Sequence, residues 1–419
     1  MSEAATPEER LAAGRGPRSL LTDPSFRRVW VAGLAIGTIR WIEMLATGVW
    51  LFDVTGSALQ VALLTMLRMM PMSLLGAFVG AMAERISKRR MLLGVVATGL
   101  VVSLLQAALA WTGRLELWHV AAGALINGIF WAIDMPVRRT MLGELAGPGR
   151  TAAAMGLDSA TNNATRMLGP GLGGLLLEVG GIHGAFLLGA GFYVVAAALL
   201  LRLDLAERLD LDGRLRVLSR IAEGLRIIRG DPALVGTLAV TIVFNVFAWP
   251  ATAMVPVIGE ESLHLSAFPV GLLMSADGLG ALAGAVLVSI RARPPAYRGL
   301  YLAGVALFAA GSLVFAIVPW PVAAGVAQVA VGLGAASFST MQATIVFLSA
   351  PPAARNRVMG VLSVCIGTSV LGFAHLGLLA HWLGGPAAVV VSSLEALAAL
   401  AAAMVAWPAI RPRAPFAPR

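Results

Sequence analysis

The chain has 419 residues, of which 58% are hydrophobic and 13% charged, and its formal net charge is +9. Soluble domains carry about 25% charged residues, so this composition excludes an ordinary soluble protein and indicates apolar side chains that face lipid. The positive charge follows the predicted membrane topology, so it does not indicate a nucleic-acid partner.

Twelve apolar runs predict an all-α membrane protein with twelve transmembrane helices. Most runs reach about 20 residues, enough to cross a hydrocarbon core of roughly 30 Å. The runs lie near residues 28–52, 59–83, 91–112, 115–134, 152–178, 184–203, 235–258, 267–290, 299–319, 321–346, 358–382 and 386–409. They divide the chain into an N-terminal tail (1–25), a first six-helix half (26–203), a linker (204–234), a second half (235–410) and a C-terminal tail (411–419).

The basic residues alternate between the two sides of these runs. Of the 31 lysines and arginines, 27 fall in segments on the side of both termini, and Arg114 alone falls on the other side. Because positive charge stays on the cytoplasmic side, we expect cytoplasmic termini in a bacterial plasma (inner) membrane. We expect no signal peptide, because the first 25 residues are polar and no small-residue cleavage site follows a short apolar core. Cys365 is the only cysteine and the five histidines have no short ligand spacing, so we expect no metal site.

Charged residues also lie deep within the predicted helices, where each costs on the order of 2.5–3.5 kcal/mol and is usually functional. They are Arg40, Glu43, Arg68, Asp158, Arg166 and Asp277. Arg40 and Glu43 share a helix face, where an ion pair can form. We expect Glu43, Arg68 and Asp277 to face one central cavity, with Arg40 beside them, and to bind substrate or couple ions. Structural salt bridges without a transport role are the alternative.

The loop after the second predicted helix reads Gly80-Ala-Met-Ala-Glu84-Arg85-Ile-Ser-Lys88-Arg89-Arg90. It resembles the loop between helices 2 and 3 of the major facilitator superfamily, with Glu84 where that family usually has Asp and Ser87 where it usually has Gly. The resemblance implies the major facilitator fold, with two pseudo-symmetric six-helix halves, and a gating role in which Glu84 and Arg85 hold the inner side closed in one state. A basic cluster that only sets topology is the alternative.

The fourth and fifth predicted helices carry a second set of motifs, Asp134-Met-Pro136-Val-Arg138 and Arg166-Met-Leu-Gly169-Pro170-Gly-Leu-Gly173-Gly174. They resemble the branch of the superfamily that includes the enterobactin exporter and related transmembrane secretion effectors. We assign Asp134 and Arg138 to the gating group. The Gly-Pro-x-x-Gly-Gly pattern, with Gly156 upstream, is similar to a motif of drug-exporting antiporters. Pro170 removes a backbone hydrogen bond and glycines allow close helix approach, so we expect this helix to bend during transport. A glycine-rich packing face is the alternative.

The linker is the longest polar stretch between the predicted helices. Leu218, Ile221, Leu225 and Ile228 recur there at helical spacing among arginines. This pattern predicts an amphipathic helix, which either lies on an anionic leaflet or only joins the halves.

The two halves show weak internal repetition. A shift of 209 residues aligns residues 57–64 with 266–273 and places Arg68 opposite Asp277. A shift of 204 aligns residues 140–156 with 344–360. Such repeats are typical of secondary transporters, whose substrate site lies between the repeats.

The sequence therefore predicts a secondary active transporter that works by alternating access, as a proton-coupled exporter of a small amphipathic drug, siderophore or secondary metabolite. The alternatives are a proton-coupled importer and, from another class, a membrane-embedded enzyme or a non-transporting receptor or scaffold. Lys88 is the only lysine and lies in no phosphate-binding loop, so the expected energy source is the proton gradient, with no cofactor. No nucleophile motif indicates an enzyme. We expect a monomer that interacts with substrate and bilayer.

Overall fold

The computed structural model describes residues 18–82, 86–147, 150–203, 217–291, 293–351 and 354–412. The first half contains α1 (Pro24–Thr55), α2 (Ala58–Met82), α3 (Lys88–Trp111), α4 (Leu117–Ala146) and a long helix, Thr151–Leu201. The long helix is broken at Gly181, whose φ of 60° and ψ of −177° are not helical. The break separates α5 (residues 151–180) from α6 (residues 182–201).

The linker contains α7 (Val217–Arg229), and the second half contains the remaining helices. These are α8 (Pro232–Glu261), α9 (Ala267–Arg291), α10 (Tyr297–Ile317), α11 (Pro321–Ser349), α12 in two pieces (Arg355–Gly367 and Ser369–Leu383) and α13 (Gly385–Ala406). Single turns lie at Arg18–Leu21, Pro294–Ala296 and Pro408–Ile410. Within α8, a π-helical turn at Phe244–Ala248 and a 3-10 turn at Trp249–Met254 interrupt the α-helix. Such interruptions often mark places where a helix bends.

Twelve spans result from these helices. In the described ranges, 11 helical segments are long and apolar enough to cross a membrane, and one of them, Ala153–Leu201, contains the break at Gly181. Because α5 and α6 are separate spans, the total is twelve. The predicted all-α, twelve-helix fold class is confirmed, and the chain is a multi-pass membrane protein.

Local capping fixes where several spans begin. The Asp23 side chain accepts hydrogen bonds from Ser25 N and Phe26 N at the start of α1, and Gly56 ends that helix with a φ of 58°. Asp231 likewise accepts from Ala233 N and Leu234 N at the start of α8, where Pro232 occupies the first turn. These side chains satisfy amide groups that have no partner within the helix, so the polar breaks in the sequence become helix ends.

Apolar packing differs between the two ends of the bundle. We call the end with both chain termini the termini end and the opposite one the far end. At the far end a single core cluster contains residues of both halves, among them Val49, Val61, Met254, Val270 and Phe373. Elsewhere one large cluster is confined to the first half, and two others to the second half and linker. The halves are therefore joined at the far end.

The linker helix packs on the second half. The Ile228 side chain is buried in one cluster with Val358 and Val361 of α12. Glu223 also accepts a hydrogen bond of 2.6 Å from Arg357. The described part of the linker thus has a protein partner in α12, and an additional position on the bilayer surface stays a prediction.

Candidate functional site

An ion pair joins the two halves at mid-depth. Arg166 of α5 donates from Nε to Oδ2 of Asp277 on α9 over 2.8 Å. The two side chains are 13% and 14% exposed. Each residue lies near the middle of its helix, and the helices belong to different halves. This contact must therefore rearrange if the halves separate here.

Two tryptophans flank this ion pair. The guanidinium carbon of Arg166 lies 5.7 Å from the ring centroid of Trp41 and 5.5 Å from that of Trp249, within range of cation–π attraction. A small cavity adjoins the pair, and its wall also includes Met44, Pro170, Thr252, Val255, Met274 and Gln328. Asp277 Oδ1 and Trp41 Nε1 are buried, and neither has a hydrogen-bond partner among the described residues. The wall of this small cavity is therefore mostly apolar, with one free acceptor and one free donor.

The helix-bending motif contacts helices on two sides. A Cβ atom on Gly169 or Gly173 would meet Trp41 or Ile42 of α1, in the same half. A Cβ atom on Gly174 would overlap the carbonyl oxygen of Ala267 at the start of α9. Gly171 N also donates to Ser275 Oγ over 3.0 Å. The motif therefore lets α5 approach α1 and α9 at once.

The facing helix α9 contributes glycines of its own. A Cβ atom on Gly271 would overlap the carbonyl oxygen of Pro170, and one on Gly278 would lie 2.5 Å from Met167 Cα. We call this contact of α5 with α9, from Met167 to Gly174 and from Ala267 to Gly278, the glycine seam. Gly156, nearer the termini end, has no heavy atom within 4 Å of an added Cβ. The close contact between α5 and α9 thus extends from mid-depth to the far end.

Glu43 and Arg68 lie inside the first half. Glu43 accepts hydrogen bonds from Ser103 Oγ of α3 over 2.8 Å and from Asn127 Nδ2 of α4 over 2.7 Å. Arg68 Nη2 donates to Thr47 Oγ1 of α1 over 2.9 Å. Both charged residues are buried, at 2% and 4% exposure. They line no part of the cavity beside Asp277.

A network of five charged residues lies nearer the termini end of the first half. Asp134 accepts from Arg40 Nη2 and from Arg138 Nε, each over 3.1 Å. Arg138 also binds Asp158, which pairs with Arg139 Nε over 2.8 Å. Arg40 stacks on the Trp131 ring at 4.7 Å. Each buried carboxylate therefore has two arginine partners, all within one half.

The predicted gating loop is described in part. Gly80 lies in the last turns of α2, while Glu84 and Arg85 lie outside the described residues. Lys88 Nζ binds Glu144 Oε1 over 2.6 Å. Arg89 donates to the carbonyl oxygens of Leu200 and Leu201. The described basic residues of this loop thus bind α4 and the end of α6.

Some contacts differ from those expected. Arg40 pairs with Asp134 instead of Glu43, because the facing carboxylate of α4 is within its reach. Asp277 pairs with Arg166 instead of lying with Arg68. Sequence reasoning also missed Trp41, Trp249 and a second-half pair in which His375 and Glu395 approach within 2.7 Å. Glu395 interrupts an apolar run, so a complete search for charges in the spans would have found it.

Comparisons with known proteins agree with this architecture. The family model described as Major Facilitator Superfamily matches residues 29–370. The chain belongs to the major facilitator superfamily. This match confirms the family expected from the loop and helix motifs. It also identifies the protein as a transporter, which moves small molecules across a bilayer, and not as an enzyme.

Curated relatives are also transporters. The chain is 27% identical over 364 residues to an uncharacterized transporter of this superfamily, YfiS of Bacillus subtilis, with 82% of this chain and 84% of that protein covered. It is 26% identical over 398 residues to the multidrug efflux pump Tap of Mycolicibacterium fortuitum, with 91% and 94% covered. It is 25% identical over 164 residues to the staphyloferrin A transporter of Staphylococcus aureus, with 39% and 41% covered.

Solved structures of transporters share the fold. The nucleoside transporter NupG, as its D323A mutant, matches with a TM-score of 0.75 and 11% identity, covering 91% of this chain and 99% of that one. A bacterial homolog of the human lysosomal transporter Spinster matches with a TM-score of 0.69 and 15% identity, covering 93% and 96%. At these identities the likeness concerns the fold alone.

Proposed function

We propose that this transporter is a proton-coupled exporter of a small amphipathic molecule, working as a monomer without a cofactor in a bacterial plasma membrane. Both termini would be cytoplasmic, as the distribution of basic residues indicates. The observation that carries the proposal is the Arg166–Asp277 pair, which joins the halves beside a cavity with unpaired polar atoms. In this orientation the far end, where the halves pack together, would face the outside.

The chemistry of export follows from this pair. A substrate that reaches the cavity from the cytoplasm can bond to Asp277 Oδ1 or Trp41 Nε1 and lie against the tryptophan rings. A substrate that bonds to Asp277 competes with Arg166 for the carboxylate, which favours separation of α5 from α9 at the far end. A proton from outside would then bind Asp277 as the substrate leaves. After the halves close again, release of this proton to the cytoplasm and renewed pairing of Asp277 with Arg166 would complete the cycle.

Relatives supply the substrate hypothesis. A multidrug efflux pump and a siderophore transporter are among the similar proteins. We therefore choose ethidium and staphyloferrin A as probes. Uphill movement of either probe out of the cytoplasm, stopped when the pH gradient is collapsed, supports proton-coupled export. Accumulation in the opposite direction would favour the importer, and full accumulation without the gradient would exclude proton coupling.

The role of the pair itself is tested by neutral substitutions. If Arg166 and Asp277 only brace the helices, the double variant Arg166→Gln with Asp277→Asn should regain the transport lost in each single variant, because no buried charge is left unpaired. Binding or coupling predicts no recovery. Glu395→Gln is the matched control, since it removes a carboxylate at similar depth that belongs to the second half alone. All variants are compared at equal amounts in proteoliposomes.

A further inference from the structure

A carboxylate of the first half binds the start of a helix of the second half at the far end. Glu178 lies in the last turn of α5, and its Oε2 atom accepts hydrogen bonds from Ser266 Oγ over 3.0 Å and from Phe268 N over 2.9 Å. These donors lie at the start of α9. Glu178 comes one turn after Gly174 on the same face of α5, so the glycine seam brings the first turn of α9 within its reach.

The position of Glu178 favours this contact between the halves over a role in its own helix. A negative charge near the carboxyl end of a helix is unfavourable, because the last carbonyl groups carry partial negative charge, whereas the same charge is favourable near the amino end. Glu178 lies near the carboxyl end of α5 and at the amino end of α9. Its electrostatic benefit therefore depends on α9 being close.

The two repeats differ at this point. The shift of 209 residues that aligns the halves places Ser57 of α2 opposite Ser266 of α9. The same shift places Gln60 opposite Pro269. Ser57 Oγ accepts from Gln60 N over 3.4 Å, so this serine caps its own helix. Pro269 has no N–H group, so Ser266 cannot make the equivalent bond. In α9 the first turn is capped by Glu178 of the other half instead.

We propose that Glu178 is a latch residue, which caps α9 across the interface and so holds the far end closed. When the far end opens, Phe268 N loses Glu178 as its acceptor. Ser266 Oγ, released from its own bond to Glu178, then accepts from Phe268 N. The first turn of α9 is thus capped in both states, by the first half when closed and by its own half when open. The latch rests on alternating access in the proposed transporter, but not on the direction of transport or on proton coupling.

Removal of the latch should open the far end. Spin labels at Trp111→Cys and Trp382→Cys, both exposed far-end positions in different halves, report the distance in a Cys365→Ser background. The full-length protein is measured in lipid nanodiscs. In Glu178→Ala the ratio of open to closed far ends should rise about fivefold, as expected for the loss of one helix cap. Glu178→Gln keeps an acceptor oxygen without the charge, so the ratio should rise less.

The matched control is Glu116→Ala. Glu116 is also an exposed far-end carboxylate, but its Oε2 atom accepts from Trp118 Nε1 within the first half, over 2.8 Å. Its loss should leave the ratio of open to closed far ends unchanged. An equal rise in both variants, or no rise in Glu178→Ala, would overturn the latch. If added ethidium opens the far end of a Glu178→Ala protein that shows no rise, the latch fails while alternating access stands.

The exchange of caps makes a separate prediction about stability. Glu178→Ala leaves Ser266 to cap Phe268 N, and Ser266→Ala leaves Glu178 to do so. Each single change should therefore lower the melting temperature only slightly. The double variant has neither acceptor, so its loss should exceed the sum of the two single losses. Additive losses would show that Ser266 does not replace Glu178, and the proposed exchange would be wrong.

Discussion

The far end and the termini end of the bundle are stabilised by different kinds of contact. At the far end, close backbone packing in the glycine seam and a shared apolar cluster connect the two halves. Near the termini end of the first half, Arg138 binds Asp134 and Asp158 within that half. A salt bridge within one half moves with it as a rigid body, while a contact between halves must break. Many buried charges therefore do not identify the moving interface, whereas close contact between halves does.

The largest expected effect is on stability, from Arg138→Gln. This change leaves Asp134 and Asp158 with one arginine partner each, and breaking a buried ion pair costs about 3–5 kcal/mol. Arg139→Gln is the matched control, because the Arg139 side chain is 39% exposed, so its loss should cost less than about 1 kcal/mol. The free energy of unfolding in detergent would be measured for both variants. Equal losses in the two variants would show that burial does not set the strength of these ion pairs. An altered far-end distance at unchanged stability in Arg138→Gln would place the network among the moving contacts.

A smaller effect, on the closure of the far end, is expected from Gly174→Ala. The added methyl group would overlap the carbonyl oxygen of Ala267, and overpacking of this kind costs about 1–3 kcal/mol, or roughly 5- to 150-fold in the ratio of open to closed far ends. Gly156→Ala adds the same group to the same helix where no atom lies within 4 Å. Spin-label distances across the far end should change in the first variant only. An equal change in the far-end distance in Gly156→Ala would show that a methyl group anywhere on α5 alters closure. The contact at the glycine seam would then not be the cause.

The smallest effect is expected at the linker. Arg357 and Glu223 are 37% and 47% exposed, so Glu223→Gln should change stability by less than about 0.5 kcal/mol. Gly224→Leu, one residue on, would force a side chain against the backbone of Arg357 and should loosen α7 from α12. Protease sensitivity of the linker distinguishes the two variants. Greater sensitivity in Glu223→Gln than in Gly224→Leu would show that charge, and not close packing, attaches the linker.

The fold was predictable from the sequence to a greater extent than the site. Apolar runs are local signals, and they predicted the number of spans. The caps Asp23 and Asp231 begin α1 and α8 a few residues before the predicted runs, and these two caps were not predicted from the sequence. The partner of Asp277 was not predictable, because Arg166 and Asp277 come from helices 111 positions apart in sequence, whose contact depends on how the halves dock. Pseudo-symmetry pointed to Arg68 instead, yet that residue bonds to Thr47 within its own half.

The motif in α5 was interpreted only in part for a similar reason. Its glycines indicate close helix contact, but a pattern with several glycines per turn does not say which face meets which partner. The structure separates Gly169 and Gly173, which contact α1, from Gly171 and Gly174, which contact α9. Directional bending of this helix remains a prediction.

The central claim, that the two ends open in alternation, is tested most directly by measuring both ends in one protein. Double electron–electron resonance would use one label pair at Trp111→Cys and Trp382→Cys for the far end, and another at Arg90→Cys and Arg291→Cys for the termini end, all exposed positions. We predict that any condition that lengthens the far-end distance shortens the termini-end distance. Distances that change in the same direction, or one end that changes while the other stays fixed, would contradict alternating access.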